Sequence, residues 1–322
     1  MTIQDLKNNT ARSLQQAGYD PKKLALIHSG ASLALSLVVT VLQFALDRGI
    51  ANTGGLSGIS LRTLLSTIQM TLSVSLLLLM PFWNAGFCHS ALCLAQGTEA
   101  TPNGLFAGFR RFLPLMRLFL LQALLYFAIA LLCNNLASTI YLLTPFSGGL
   151  MEILEPMMDD PDLLLEMLNN GALTQQLLPH LAGMYVITGI LLAILGIPMF
   201  YRLRMAVFAM MDQPRIGALM AFGISGQLMR RHRFRLFRLD LQFWWFYLAQ
   251  LVLSVIGYMD VLLPMLGISL PFQADVSFFL FYVIYLGLQL VLSWQVFARV
   301  QTTYAHFYLD RKSEFVQPAD NK

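Results

Sequence analysis

The chain has 322 residues, of which 57% are hydrophobic and only 12% charged, with a mean hydropathy of +0.63. That is too little polar surface to clothe a water-soluble globule, so the composition points to one integrated membrane domain. The formal net charge of +4 hides a separation of signs: six acids crowd residues 144–179, where there is no base, while arginines gather elsewhere. Nucleic acid is therefore not an expected partner.

Residues 1–23 read as a cytoplasmic leader. They open on MTIQDLKNNTARSLQQAG, with no apolar core and no small-residue cleavage site, so no cleaved signal peptide is expected, and Lys22 and Lys23 abut the first span. That span, residues 24–46, carries Ser29, Ser32, Ser36, Thr40 and Gln43 at helical spacing on one face. Such a face is expected to pack against other helices, because small and polar side chains form helix contacts in lipid. A glycine-rich outer turn with Gly54, Gly55 and Gly58 leads to a second span, 63–83, with a stripe of Thr63, Thr67, Thr71 and Ser75. Pro81 is expected to bend that helix, and its apolar pattern continues to Ala95, past the bilayer.

Arg110, Arg111 and Arg117 introduce the third span, 118–143, in which the adjacent amides Asn134 and Asn135 point about 100° apart, so at least one is expected to face a protein partner. In the outer acidic loop, 144–179, the piece DDPDLLLEMLNNG reads as a short amphipathic helix. Its acids lack the glycine and terminal glutamate of a calcium loop and read as a solvated face. The fourth span, 180–200, is followed by a basic cytoplasmic segment, 202–240. There Arg231, Arg235 and Arg238 fall on one face of a helical wheel and Leu228, Met229, Leu236 and Leu239 on the other. This predicts a basic amphipathic helix feeding the fifth span, 241–263, with Trp244, Trp245 and Tyr247 at the interface. The sixth span is 276–298, and 299–322 reads as a cytoplasmic tail.

About 20 apolar residues are needed to cross the hydrocarbon core, and each run meets that length. With the N-terminus inside, all but Arg48 and Arg62 of the 21 Lys and Arg fall on the cytoplasmic side, so the expected architecture is an all-α bundle of six spans with both termini in the cytoplasm. The hairpins around Pro81 and Pro198 share an order of features, with equal spacing to Gln96 and Gln213, which suggests a parallel repeat.

Chemistry is sparse. His28, His89, His180, His232 and His306 are scattered, and no zinc spacing, Walker loop or dinucleotide fingerprint occurs. The string GISG around Ser225 lacks the full nucleophile-turn pattern. Cys88, Cys93 and Cys133 lie in or near spans and read as small buried hydrophobes. No catalytic residue, metal or cofactor is expected. Two candidate sites remain: an anionic-lipid contact at Arg230, Arg231, Arg233, Arg235 and Arg238, and an intramembrane polar site at Asp260, Asn134, Asn135 and Gln43. Asp260 is the one acid inside a span, where a charge costs at least about 2.5–3.5 kcal/mol at the bilayer centre.

The stretches SGQLMRRHRFRLFRLDLQFWW (225–245), PMFYRLRMAVFAMMDQP (198–214) and TTYAHFYLD (302–310) resemble the uncharacterised bacterial integral membrane proteins grouped as domain of unknown function 975. Ser225, Met229, Leu236, Phe237, Phe243, Trp244, Phe307 and Tyr308 match that family's pattern. Arg231 stands where a glycine is usual and Gln242 where a serine is usual. The segments YDPKKLALIHSGASLALSL and GFRRFLPLMRL are similar to clostridial members, so the likeness extends over nearly the whole chain. The resemblance implies a multi-span protein of the bacterial cytoplasmic membrane and supplies no activity, cofactor or catalytic residue. The leading expectation is a non-enzymatic component that contacts lipid headgroups or other membrane proteins. The alternative is a small-solute or ion carrier using the polar faces of spans one to three and Asp260, with a lipid-acting enzyme the weakest option.

Overall fold

The computed structural model describes residues 2–52, 57–159, 172–259, 262–263 and 274–316. Among these residues every regular element is helical: α1 (Ile3–Gln16), α2 (Pro21–Asn52), α3 (Ser57–Gln96), a 3-10 turn (Pro102–Phe106), α4 (Ala107–Arg110), α5 (Phe112–Leu142), α6 (Ser147–Asp159), α7 (Ala172–Leu203), α8 (Ala206–Asp212), α9 (Ala218–Met229), α10 (Arg233–Gln242), α11 (Trp244–Gly257), α12 (Ala274–Leu292) and α13 (Ala298–Val316). A wide π turn at Ser293–Phe297 joins α12 to α13. Five helical stretches are long and apolar enough to cross a membrane, in α2, α3, α5, α7–α8 and α12–α13, and the pair α10–α11, bent by 64°, would make a sixth. Pro81 lies inside α3, which is assigned as a single helix from Ser57 to Gln96.

The chain divides into two compact units, Phe119–Arg204 and the remainder. In the first, Cys133, Ala137 and Tyr141 are buried at successive four-residue steps along α5. The Tyr141 hydroxyl lies 2.6 Å from His180 Nδ1 on α7. Thr144 Oγ1 donates to the Tyr141 carbonyl and Ser147 Oγ to that of Leu142, which satisfies the carbonyls left open where α5 ends. The amphipathic helix expected at 159–171 lies outside the described residues apart from Asp159. The helix that precedes it, α6, carries Glu152 and Glu155 exposed.

In the second unit, α2 and α3 form a hairpin tied by Gln43 Nε2 to Ser73 Oγ (2.7 Å) and Gln69 Nε2 to Asp47 Oδ1 (3.0 Å). The stripe expected on α2 is partly or fully buried, and Ser36 and Thr40 both reach the Tyr282 hydroxyl at 3.0 Å. The stripe on α3 behaves differently. Thr67, Thr71 and Ser75 are exposed and donate to carbonyls four residues back on their own helix, a bond that needs no partner helix.

The core of this unit collects at one end of the hairpin. Leu24 and Ala25 of α2, Phe87 and Leu94 of α3, Ala100, Leu105 and Ala298 form one buried cluster, with Leu14, Ala17, Tyr19, Trp83 and Phe297 packed against it. The His28 ring is stacked between Trp83 and Phe297, at 5.4 and 5.3 Å. Backbones touch here: a Cβ on Gly86 would sit 1.7 Å from the Leu105 carbonyl oxygen, and one on Gly108 would sit 1.9 Å from that of Phe82. α3 then ends in a Schellman turn, with Gly97 at φ +72° and Thr98 N–H bonded to the Cys93 carbonyl.

The segments read as leader and tail are helical and pack against this core. α1 is started by a capping box between Thr2 and Asp5, buries Leu6 and Thr10, and touches α13 where Ser13 Oγ lies 3.0 Å from His306 Nε2. In α13, Val300, Tyr304, Phe307, Tyr308 and Arg311 are buried, at spacings of four, three, one and three, which is one helical face. The low mean hydropathy of both segments concealed the period.

Candidate functional site

The basic segment folds in three pieces rather than as the single amphipathic helix expected. α9 ends at Met229, Arg230–His232 form a turn, α10 begins at Arg233, and the chain bends by 64° into α11 at Phe243. Leu228, Met229, Leu236 and Leu239 are all buried, so the apolar face was legible. Between them stand four consecutive polar residues, Arg230–Arg233, with nothing to offer the core. The break lets Met229 and Leu236 stay inside while Arg230 and Arg231 turn outward.

That break decides the geometry of the arginines. Arg231 has left the helix that carries Arg235 and Arg238, yet all three line one open cavity of about 510 Å³ together with Ile3, His232 and Phe234. A second cavity, about 350 Å³, takes Arg230, Arg231 and His232 on one side and Arg311 and Glu314 of α13 on the other. Arg231 and His232 are common to both. Arg230, Arg231 and Arg238 are exposed, Arg233 and Arg235 half-buried, and the Nε of Arg233 is buried without a hydrogen-bond partner. Among the described residues none of the five forms a salt bridge with a carboxylate. The Arg238 guanidinium lies over the Phe234 ring, 4.7 Å from its centroid.

Two titratable neighbours respond to this setting. Burial, then the Arg311 charge, pushes the His232 imidazole below its usual range against the opposing pull of Glu314. Hydrogen bonds from Thr2 hold the Asp5 carboxyl low, and Arg235 adds to the effect.

Behind the rim lie polar contacts that sequence reasoning missed. Asp212, at the end of α8, accepts from the Tyr308 hydroxyl (2.9 Å), Lys312 Nζ (2.5 Å) and Gln96 Nε2 (3.4 Å). Tyr304 donates to Asp240 and shares a bond of 2.6 Å with Tyr247. Arg311, almost wholly buried, pairs with Asp310 and Glu314. Arg111 donates to the carbonyls of Met210 and Met211, at 2.8 and 3.1 Å, and so caps the last turn of α8. The sequence signal for these contacts is the helical spacing of the aromatics in TTYAHFYLD.

Of the residues expected to form an intramembrane polar site, Asp260 lies outside the described residues. Asn134 and Asn135 are both exposed, and Asn135 Nδ2 donates to the Leu131 carbonyl of its own helix at 2.8 Å. Gln43 is spent on Ser73. Among the described residues no group of three or more His, Cys, Asp or Glu is placed to hold a metal ion. What the rim can do chemically is receive an oxyanion, since guanidinium groups offer planar pairs of donors matched to phosphate and carboxylate.

A family model described as Protein of unknown function (DUF975) matches residues 23–313, so the chain belongs to that family. No curated protein matches the chain, and neither does any solved structure.

Proposed function

We propose, with that family membership as premise, that the protein is a non-enzymatic component of the bacterial cytoplasmic membrane whose arginine rim engages anionic lipid headgroups. α11 enters the fifth of six spans, both termini lie inside, and the rim on the bent-away α10 faces the cytoplasmic leaflet. The observation that carries this reading is the set of four arginines, Arg230, Arg231, Arg235 and Arg238, that line two cavities sharing Arg231 and His232 and form no salt bridge with a carboxylate among the described residues. The 64° bend supports it, because a helix that departs so far from a spanning neighbour runs closer to the membrane plane. Phe234, Phe237, Trp244 and Trp245 are exposed beside it, as an interfacial belt requires. Each arginine near an acidic leaflet contributes about 1 kcal/mol.

Reconstitution tests the reading. The thermal midpoint of the full chain should be higher in vesicles containing phosphatidylglycerol than in pure phosphatidylcholine, and the triple variant R231Q/R235Q/R238Q should lose most of that difference. Equal midpoints for the unaltered protein in both lipids would sink the proposal. Orientation is tested separately. In a background with Cys88, Cys93 and Cys133 replaced, a cysteine at Glu155 should react with an impermeant thiol reagent in intact cells, and one at Arg230 should not.

A further inference from the structure

A third cavity, chemically unlike the two at the rim, lies among α2, α11 and α12. Its volume is about 360 Å³, and Ser36 and Thr40 face it from α2, Ser254 and Gly257 from α11, and Phe278, Tyr282 and Tyr285 from α12. Tyr258, mostly exposed, stands at its rim. From the Phe243 bend it is about 20 Å along α11, at 1.5 Å per residue, so the two sites sit at opposite ends of that helix. Six of its lining residues carry hydroxyls and none carries a formal charge.

The hydroxyl accounting leaves capacity unspent. Ser36, Thr40 and Tyr282 have three O–H protons among them, and the two bonds that join them use two. One donor and several lone pairs are left over. Ser254 spends its proton on the Gln250 carbonyl and keeps its acceptor sites. Neither Tyr258 nor Tyr285 has a hydrogen-bond partner among the described residues. Within a helical stretch apolar enough to cross a bilayer, such groups call for something polar to fill the space beside them. The shape adds to this. Phe278 is stacked on Tyr282 (5.8 Å, 7°), and Tyr285 continues the wall at 6.0 Å. Gly257 keeps the opposite side open, since a Cβ there would already meet the Tyr285 ring at 3.4 Å.

From this we infer a binding site for an uncharged, polyhydroxylated group: the rings receive the C–H face of a sugar or polyol, and the Ser36–Thr40–Tyr282 cluster receives its hydroxyls. A few placed polar groups on an aromatic wall are the usual composition of a small-molecule site. The group arrives either on a membrane lipid or free in water.

The test uses the full chain in uncharged phosphatidylcholine vesicles, so the arginine rim plays no part and the two proposals fail independently. The thermal midpoint is read on adding monoglucosyl-diacylglycerol to the bilayer or glucose to the solution, with plain diacylglycerol as control. A rise of the midpoint with either sugar probe and not with diacylglycerol supports the site, and the probe that works identifies the source. The same titration on Tyr282→Phe, which keeps the ring and removes the hydroxyl, should weaken apparent affinity at least about tenfold, and Gly257→Leu should abolish the response by filling the cavity. If Tyr282→Phe does not fold, Thr40→Val, of the same shape, replaces it. No shift with either probe overturns the inference, as does a shift that survives unchanged in the variants.

Discussion

Between Thr63 and Leu79, α3 turns much of its surface outward: Leu64, Met70, Leu77 and Leu79 are exposed, and the hydroxyls of Thr67, Thr71 and Ser75 bond back to their own helix, while Gln69 and Ser73 tie it to α2. Between Phe82 and Leu94 the same helix is closed in. Phe82, Phe87, Ala91 and Leu94 are almost fully buried, and Gly86 brings the backbone against the Leu105 carbonyl. Hydropathy barely separates the two halves, since both are apolar. The contrast lies in what each half is apolar toward. The first half has a surface suited to hydrocarbon, and the second has a surface suited to protein, rich in aromatic rings and small residues that let chains approach.

The sharpest way to break this contrast is to place side chains in each half. Gly86→Val should prevent folding outright, at a cost above about 4 kcal/mol, because its Cβ has nowhere to go. Met70→Ala, at a site 70% exposed, should shift stability by no more than about 0.5 kcal/mol. Thermal unfolding in one detergent reads both, and similar midpoints would abolish the distinction. Next in size is Asp212→Ala, which strands Lys312 and the Tyr308 hydroxyl. Because Lys312 is one-third exposed, the expected loss is about 2 kcal/mol, below that for a fully buried pair.

Ser13→Ala removes one bond between α1 and α13 and should cost about 1 kcal/mol. Its more telling sign is faster proteolysis within Ile3–Gln16 while the rest stays resistant. The smallest effect concerns His232. Its folded form binds a proton less readily than the unfolded chain, so its contribution is full above the ordinary histidine range and falls as pH drops through 6.5 toward the lowered value. His232→Gln should flatten the midpoint between pH 7.5 and 5.5, and an unaltered slope would assign the dependence elsewhere.

The sequence carried the long apolar helices and the inward face of the basic segment because both are periodic, and periodicity survives in a one-dimensional reading. Leu228, Met229, Leu236 and Leu239 share the apolar side of the helical wheel, and all four are buried. The break at Arg230–His232 follows from four consecutive polar residues that interrupt the apolar face, whereas the neighbour that His232 meets there, Arg311, is 79 residues away. α1 and α13 read as leader and tail because the composition of each is polar on average. Their buried faces, at Leu6 and Thr10 and at Tyr304, Phe307 and Tyr308, are narrow. The cavity at Tyr282 had one foot in the sequence, at Ser36 and Thr40, but its tyrosine wall belongs to a helix 242 residues away from Thr40.

The bond between Ser13 and His306 spans 293 positions. α1 is synthesised 293 residues before the segment it meets, so at about 5–20 residues per second it waits roughly 15–60 s for α13 to be made. During that interval its apolar stripe must be harboured by something else, the bilayer surface or an insertion factor. Biogenesis therefore closes a circle rather than laying down helices one after another, and a translation arrest before α13 would leave α1 without its final berth however well the earlier spans had inserted.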